Sequence, residues 1–150
     1  LPYCIRLYKQ HWYVLGFSEQ HNDLRHFAIN RMTNLEFTKE SFVYPDEFTP
    51  ESDYFFNVGI YVDQKLAPKT IKLRVYGTEV QYFRSLPLHH SQKEDFTGAE
   101  YSDFTYKLCE TPDLIQEILR KGSKVEGLEP ESLRTKIIDE LNTMFNYYKK

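Results

Sequence analysis

Residues 11–32, HWYVLGFSEQHNDLRHFAINRM, constrain the fold more than any other stretch of the chain. Trp12 to Phe17 is almost continuously apolar, whereas Leu24 to Ile29 alternates. Arg25, Phe27 and Ile29 fall on one side, His26 and Ala28 on the other. A repeat of two is the signature of a strand. The intervening SEQHND is polar and rich in turn formers, so the stretch predicts a hairpin. Its edges carry chemistry: His11 opens it, Arg25 and Arg31 bracket its second strand, and aromatic rings lie between. Guanidinium groups interleaved with aromatics suit a phosphate or a nucleobase.

Charge points to the same third of the chain. Overall the chain has a net charge of −3, which argues against an unspecialised nucleic-acid coat. Residues 1–32 nevertheless hold four basic groups (Arg6, Lys9, Arg25, Arg31) against Glu19 and Asp23, a balance of +2. Residues 33–66 set Lys39 and Lys65 against seven acids, a balance of −5. An anion site is therefore expected on the first third. With 41% apolar residues the chain can bury a core in one domain or two small ones. Cys4 and Cys109 lie far apart without metal-ligand spacing and read as reduced structural thiols of a cytoplasmic protein. No apolar run approaches a membrane span. Leu1-Pro2 leads straight into a strand without an initiator Met, so a fragment of a longer protein is expected.

Along the chain, Pro2 to Lys9 alternates and predicts a strand joined to the next by the tight Lys9-Gln10 turn. Leu35 to Phe42 offers a further strand, and Thr49-Pro50-Glu51 signals a short helical turn through Phe56. Closely joined short strands suit a small curled barrel. Residues 59–69 read as a linker. Beyond it come a strand at Ile71 to Tyr76 and a short helix opened by the capping box Thr78-Glu79-Val80-Gln81. A strand pair follows, Leu88 to Lys93 and Phe104 to Cys109, across the acidic loop EDFTGAEYSD. Thr111-Pro112 caps the next helix. Val125 to Leu128 is a strand, and Pro130 begins a last helix with the stripe Leu133, Ile137, Leu141, Met144 and Phe145. The order β-α-β-β-α-β followed by a helix is the split βαβ arrangement of ferredoxin-like domains.

Trp12-Tyr13-Val14-Leu15 followed by Arg25-His26-Phe27-Ala28-Ile29-Asn30-Arg31-Met32 resembles the WYL domain of bacterial transcriptional regulators, in which a WYL strand precedes an R-x-F-x-L-D-R-I strand. Val14 or Leu15 stands for the third letter, Asn30 replaces Asp, and Met32 replaces Ile. Pro87 to Gln92, Gly122 to Pro130 and Leu133-Arg134 resemble the C-terminal extension that follows the WYL domain. The resemblance implies an α+β chain: a small Sm/SH3-like barrel with its linker over residues 1–62, then a ferredoxin-like extension over 63–150. The family's barrel has strand material ahead of Pro2-Tyr3 that this chain lacks. The resemblance also implies an N-terminal helix-turn-helix domain in the intact protein, through which alone it would meet duplex DNA. The sensed ligand would be a nucleotide, cyclic dinucleotide or short single-stranded nucleic acid, and the module would form a homodimer.

The expected ligand-binding residues are His11, Tyr13, Arg25 and Arg31. The plainer alternative for the arginines is a rim ion pair with Asp23 or Glu36, and for Trp12 a half-buried place in the barrel. His89-His90 invites a metal reading, but neighbours on a strand face opposite ways, and turn or packing residues are expected instead. Asp46-Glu47 and Glu94-Asp95 read as solvated loop acids. Nothing in the sequence matches a catalytic motif. The chain is thus expected to be a cofactor-free sensor rather than an enzyme. The rival is a ligand-free protein-interaction module, and one observation divides them: co-purifying nucleotide favours the sensor, its absence the module.

Overall fold

The computed structural model describes residues 1–46, 55–63 and 65–149. Two antiparallel sheets with three helices make a mixed α/β chain. The first sheet comprises β1 (Pro2–Tyr8), β2 (His11–Ser18) and β3 (Asp23–Ala28), in that spatial order. Lys9 and Gln10 both adopt positive φ, 45° and 67°, the two-residue turn that matches strand twist. Pairs directly opposite in an antiparallel ladder share a face. Cys4, Leu15 and His26 therefore lie on one side, with Arg6, Tyr13 and Ala28; Ile5, Val14 and Phe27 lie on the other, with Leu7 and Trp12.

The first of these faces turns inward. Leu15 is fully buried against Tyr3, Cys4, Leu24 and Val62. The second stays open: Ile5 is 61% exposed, Leu7 57% and Trp12 54%. Trp12 is thus about half covered, and it lies on the open face of the sheet and not on the side of Leu15. The sheet is open, and residues 33–46 contain no regular element, so the expected strand at 35–42 is absent. Phe42 and Tyr44 instead lay their rings near Tyr3, at 6.2 and 5.5 Å. The expected turn at Thr49-Pro50-Glu51 lies outside the described residues.

The second sheet has the order β5-β6-β4-β7, all pairs antiparallel. In chain order its elements are β4 (Lys69–Tyr76), α1 (Glu79–Ser85), β5 (Lys93–Thr97), β6 (Tyr101–Leu108), α2 (Pro112–Arg120), β7 (Val125–Glu129) and α3 (Glu131–Tyr148). Ile71, Leu73 and Val75 alternate inward from β4 and meet Phe104, Tyr106 and Leu108 of β6 in one continuous core. Val80 and Phe83 of α1, Leu114 and Ile118 of α2 and Leu133 of α3 close it from above.

Several local expectations fail for identifiable reasons. The Thr78 capping box does not form: Thr78 has helical dihedrals and its side chain caps nothing, while Glu79 pairs with Lys121 at 2.6 Å. Leu88 to Gln92 is a turn, not a strand, because side chains compete for its backbone. The Gln92 carboxamide accepts from Leu88 N–H and donates to the Phe83 carbonyl, and His89 Nδ1 accepts from Ser91 N–H. The strand begins only at Lys93, so the acidic stretch expected as a loop is largely hairpin. Glu94 there is no solvated acid: it pairs with Arg84 at 2.6 Å, which holds its pKa down to about 2. His89 and His90 stand side by side in the turn, 3.9 Å apart, instead of on opposite strand faces. By contrast, Thr111 caps α2 as its sequence implies, its hydroxyl accepting from Leu114 N–H. Among the described residues no helix is long and apolar enough to cross a membrane.

Candidate functional site

A cleft of about 640 Å³ opens at the turn end of the first sheet. Residues 21–26 form one wall; Tyr61, Val62, Asp63 and Lys65 form the other. The first wall follows from local sequence. Asn22 takes positive φ, 49°, in the turn, a conformation Asn tolerates better than most residues. The Asp23 carboxylate accepts from Leu24 N–H at 2.8 Å, and Ser18 Oγ lies 3.0 Å from His21 Nδ1.

The second wall belongs to the stretch read as a linker, and it is held firmly. The Phe56 carbonyl accepts from Cys109 N–H at 2.8 Å, and the Leu66 carbonyl from the Cys109 thiol at 3.4 Å. Val58 packs on the second core. Ile60 and Tyr61 both donate their backbone N–H to Asp113 Oδ2 at 2.9 Å. Both cysteines are free thiols, and burial pushes that of Cys109 up.

Chemically the cleft offers Arg25, Lys65, His21 and the Tyr61 phenol as hydrogen-bond donors to a ligand. Asp23 and Asp63 each spend an acceptor on their own turns, Asp63 Oδ1 taking Lys65 N–H at 2.9 Å. His26 is kept neutral near pH 7: burial, then the nearby Arg6, push its pKa down to about 4, against an opposing pull from Asp113. Among the described residues no group of three or more His, Cys, Asp or Glu side chains could hold a metal ion.

The four residues expected to bind ligand do not converge. Arg25 sits opposite Gly16 and lines the cleft. Tyr13 sits opposite Ala28, three pairs further along and on the other face, roughly 10 Å away at strand spacing. His11 pairs with Tyr8 at that far end. Arg31 ends a 3-10 turn, Ile29–Arg31, that follows β3. Parity along a regular strand cannot reach past Ala28, so it did not reveal that Arg31 leaves the row. Neither arginine makes an ion pair among the described residues, with Asp23 and Glu36 included. Sequence reasoning missed His21, Tyr61 and Lys65. The one available signal for the second wall was Gly59, a glycine inside an otherwise β-prone GIYV.

Comparison with known proteins adds the following. Residues 1–37 match the family model of the WYL domain, and residues 67–145 that of the WCX domain. A Bacillus subtilis (strain 168) protein described as the uncharacterized HTH-type transcriptional regulator YobV is 24% identical over 150 residues. The match covers 99% of this chain but 46% of that protein, so the chain spans about half the length of its curated relative. Among solved structures, proteasome accessory factor B/C (PafBC) of Arthrobacter aurescens is 16% identical with a TM-score of 0.46, over 99% of this chain and 22% of that one.

Proposed function

The chain belongs to the WYL-domain regulator family, and we propose that it is the ligand-sensing and oligomerisation module of a cytoplasmic, DNA-binding transcriptional regulator. Residues 1–62 are the WYL unit and residues 63–150 its C-terminal extension. The three-stranded sheet is the core of an Sm-like barrel, a reading supported by its closely joined antiparallel strands. The extension is ferredoxin-like, a reading supported by its strand order. A helix-turn-helix domain, as in the name of the Bacillus relative, would contact duplex DNA. The module carries out no catalysis of its own.

The observation that carries the sensing role is the cleft: Arg25 and Lys65 face it from opposite walls, with Tyr61 and His21 beside them. A guanidinium and an ammonium on two walls suit phosphates, and the phenol suits a base, so the ligand is a nucleotide, cyclic dinucleotide or short single strand. Arg31, Tyr13 and His11 at the far end of the hairpin would extend the contact for a ligand longer than one nucleotide. The last three turns of α3, with Leu141, Met144 and Phe145 about half exposed, offer the surface for a homodimer.

A second reading, a ligand-free interaction module, is favoured by the open apolar face of Ile5, Leu7, Trp12 and Phe27. Titration of a labelled single-stranded oligodeoxynucleotide and of cyclic dinucleotides at fixed ionic strength separates the two. Arg25→Ala is expected to weaken binding about tenfold or more, since a hydrogen bond to a charged group contributes about 1.5–3 kcal/mol. Equal binding by wild type and a folded Arg25→Ala variant rejects the cleft; no binding by the wild type favours the interaction module.

A further inference from the structure

We propose that Asp113, on the extension and far from Arg25 in sequence, is the positioning residue that builds the second wall of the cleft, so that the ligand site belongs to both units jointly. The claim rests on the reading of the cleft as a ligand site and states how that site is assembled and coupled.

The local geometry leaves little freedom. Asp113 occupies the second position of α2, behind the Thr111 cap and Pro112, where the helix dipole favours a carboxylate. Its Oδ2 atom receives two consecutive backbone N–H groups, from Ile60 and Tyr61, each at 2.9 Å. Successive amides can converge on one oxygen only if the backbone curls ahead of them, and Gly59 supplies the curl with φ of 87°. A Cβ on Gly59 would stand 2.3 Å from Oδ2 and 2.7 Å from Cβ of Asp113. The glycine is thus needed twice, for its dihedral and for the space the carboxylate fills.

What the latch holds is the cleft wall itself. Tyr61 donates directly to Asp113, and the next residue, Val62, packs on Leu15, the buried centre of the first sheet. Asp63 and Lys65 follow within one hydrogen-bonded turn, Leu66 N–H donating to the Asp63 carbonyl at 3.0 Å. A displacement of residues 60–62 would move Tyr61 and Lys65 relative to Arg25. Conversely, a ligand bridging Arg25 and Lys65 pulls on a segment anchored to the first turn of α2. Occupancy of the cleft and closure of the latch are therefore linked, and linkage is reciprocal.

The experiment uses the whole chain with Asp113→Ala, Asp113→Asn, Gly59→Ala and Arg25→Ala, read by hydrogen–deuterium exchange and by titration of a fluorescein-labelled single-stranded oligodeoxynucleotide. Asp113→Ala is expected to speed exchange of the amides at 60–61 at least tenfold while β4–β7 stay protected, and to weaken probe binding about tenfold, equivalent to 1.4 kcal/mol. Gly59→Ala should do the same through collision. Asp113→Asn should fall between, because a neutral amide oxygen still accepts, and it carries the test if the alanine variant does not fold. Unchanged exchange at 60–61 in a folded Asp113 variant overturns the proposal. So does full probe affinity in Asp113→Ala alongside loss in Arg25→Ala, which leaves the cleft reading standing. If Arg25→Ala binds as wild type does, the cleft reading falls, and exchange at 60–61 alone decides whether Asp113 latches this segment.

Discussion

The two sheets are built from strands of similar length and the same antiparallel pairing, yet they bury themselves in opposite ways. The second sheet spends one face on a core of twelve buried residues drawn from three of its strands and three helices. The first has a single fully buried apolar side chain, Leu15, and leaves Ile5, Leu7 and Trp12 more than half exposed. Apolar burial is the main favourable term in folding. The second unit therefore has the means to stand as a scaffold, while the buried centre of the first leans on Val62 from outside the sheet. A sheet whose inner face depends on neighbours is one whose position a ligand can bias.

The sharpest test of that contrast compares two large aromatics. Phe104 is 1% exposed and stacks 5.7 Å from Phe83; Trp12 is 54% exposed. Phe104→Ala should cost about 3–5 kcal/mol in denaturant unfolding, the transfer loss plus a cavity. Trp12→Ser should change stability by no more than about 0.5 kcal/mol. Similar losses in both would mean that the open face is covered in solution, and the comparison would break.

A smaller effect separates the units by acidity. Glu110 lies between β6 and α2 with its side chain 3% exposed, and accepts from Lys69 at 2.9 Å, Lys136 at 2.8 Å and Ser132. Burial alone would raise its pKa, but the donors Lys136, Ser132 and Lys69 win and bring it down to about 2. A carboxylate depressed in the folded state stabilises above its unfolded pKa of 4.5, and that contribution fades as pH falls through 2. Glu110→Gln should cost roughly 3 kcal/mol at pH 7 and flatten the acid limb of a stability-against-pH curve between about 4.5 and 2. A parallel limb in the variant would assign the acid sensitivity to other groups.

How much of this was legible depended on the range of the forces involved. The β-α-β-β-α-β order was readable because Ile71, Leu73 and Val75, and Leu114 and Ile118, follow the periods of their own elements. The Thr111 cap was readable for the same reason, its partner being three residues away. The Thr78 box misled because Thr78 itself takes helical dihedrals and its hydroxyl caps nothing, a backbone conformation that the residue types do not encode. Of the candidate cleft, Arg25 was expected from a strand pattern, but Tyr61 and Lys65 lie on a segment tied to Cys109 and, by a bond from Tyr61, to Asp113, 52 residues further on. No periodicity encodes that bond.

The smallest effect sharpens the comparison most, since it concerns the first sheet alone. His26 faces inward beside Leu15 and lines the cleft. Burial chiefly, and then Arg6, push its pKa down from 6.5 to about 4. The unfolded first sheet therefore takes up a proton before the folded one does. Its stability is fully present above pH 6.5 and is lost as pH falls through about 4. The first sheet should loosen within that window while the second, governed by Glu110, holds until lower pH. Hydrogen–deuterium exchange of β2 and β3 between pH 7 and 4, corrected for intrinsic rates, reads this directly. His26→Gln, which cannot titrate, should remove the pH dependence of protection in β1–β3 and leave β4–β7 unaltered. If the first sheet keeps its pH dependence in the variant, the histidine is not what distinguishes the two sheets in acid, and the difference lies in their cores alone.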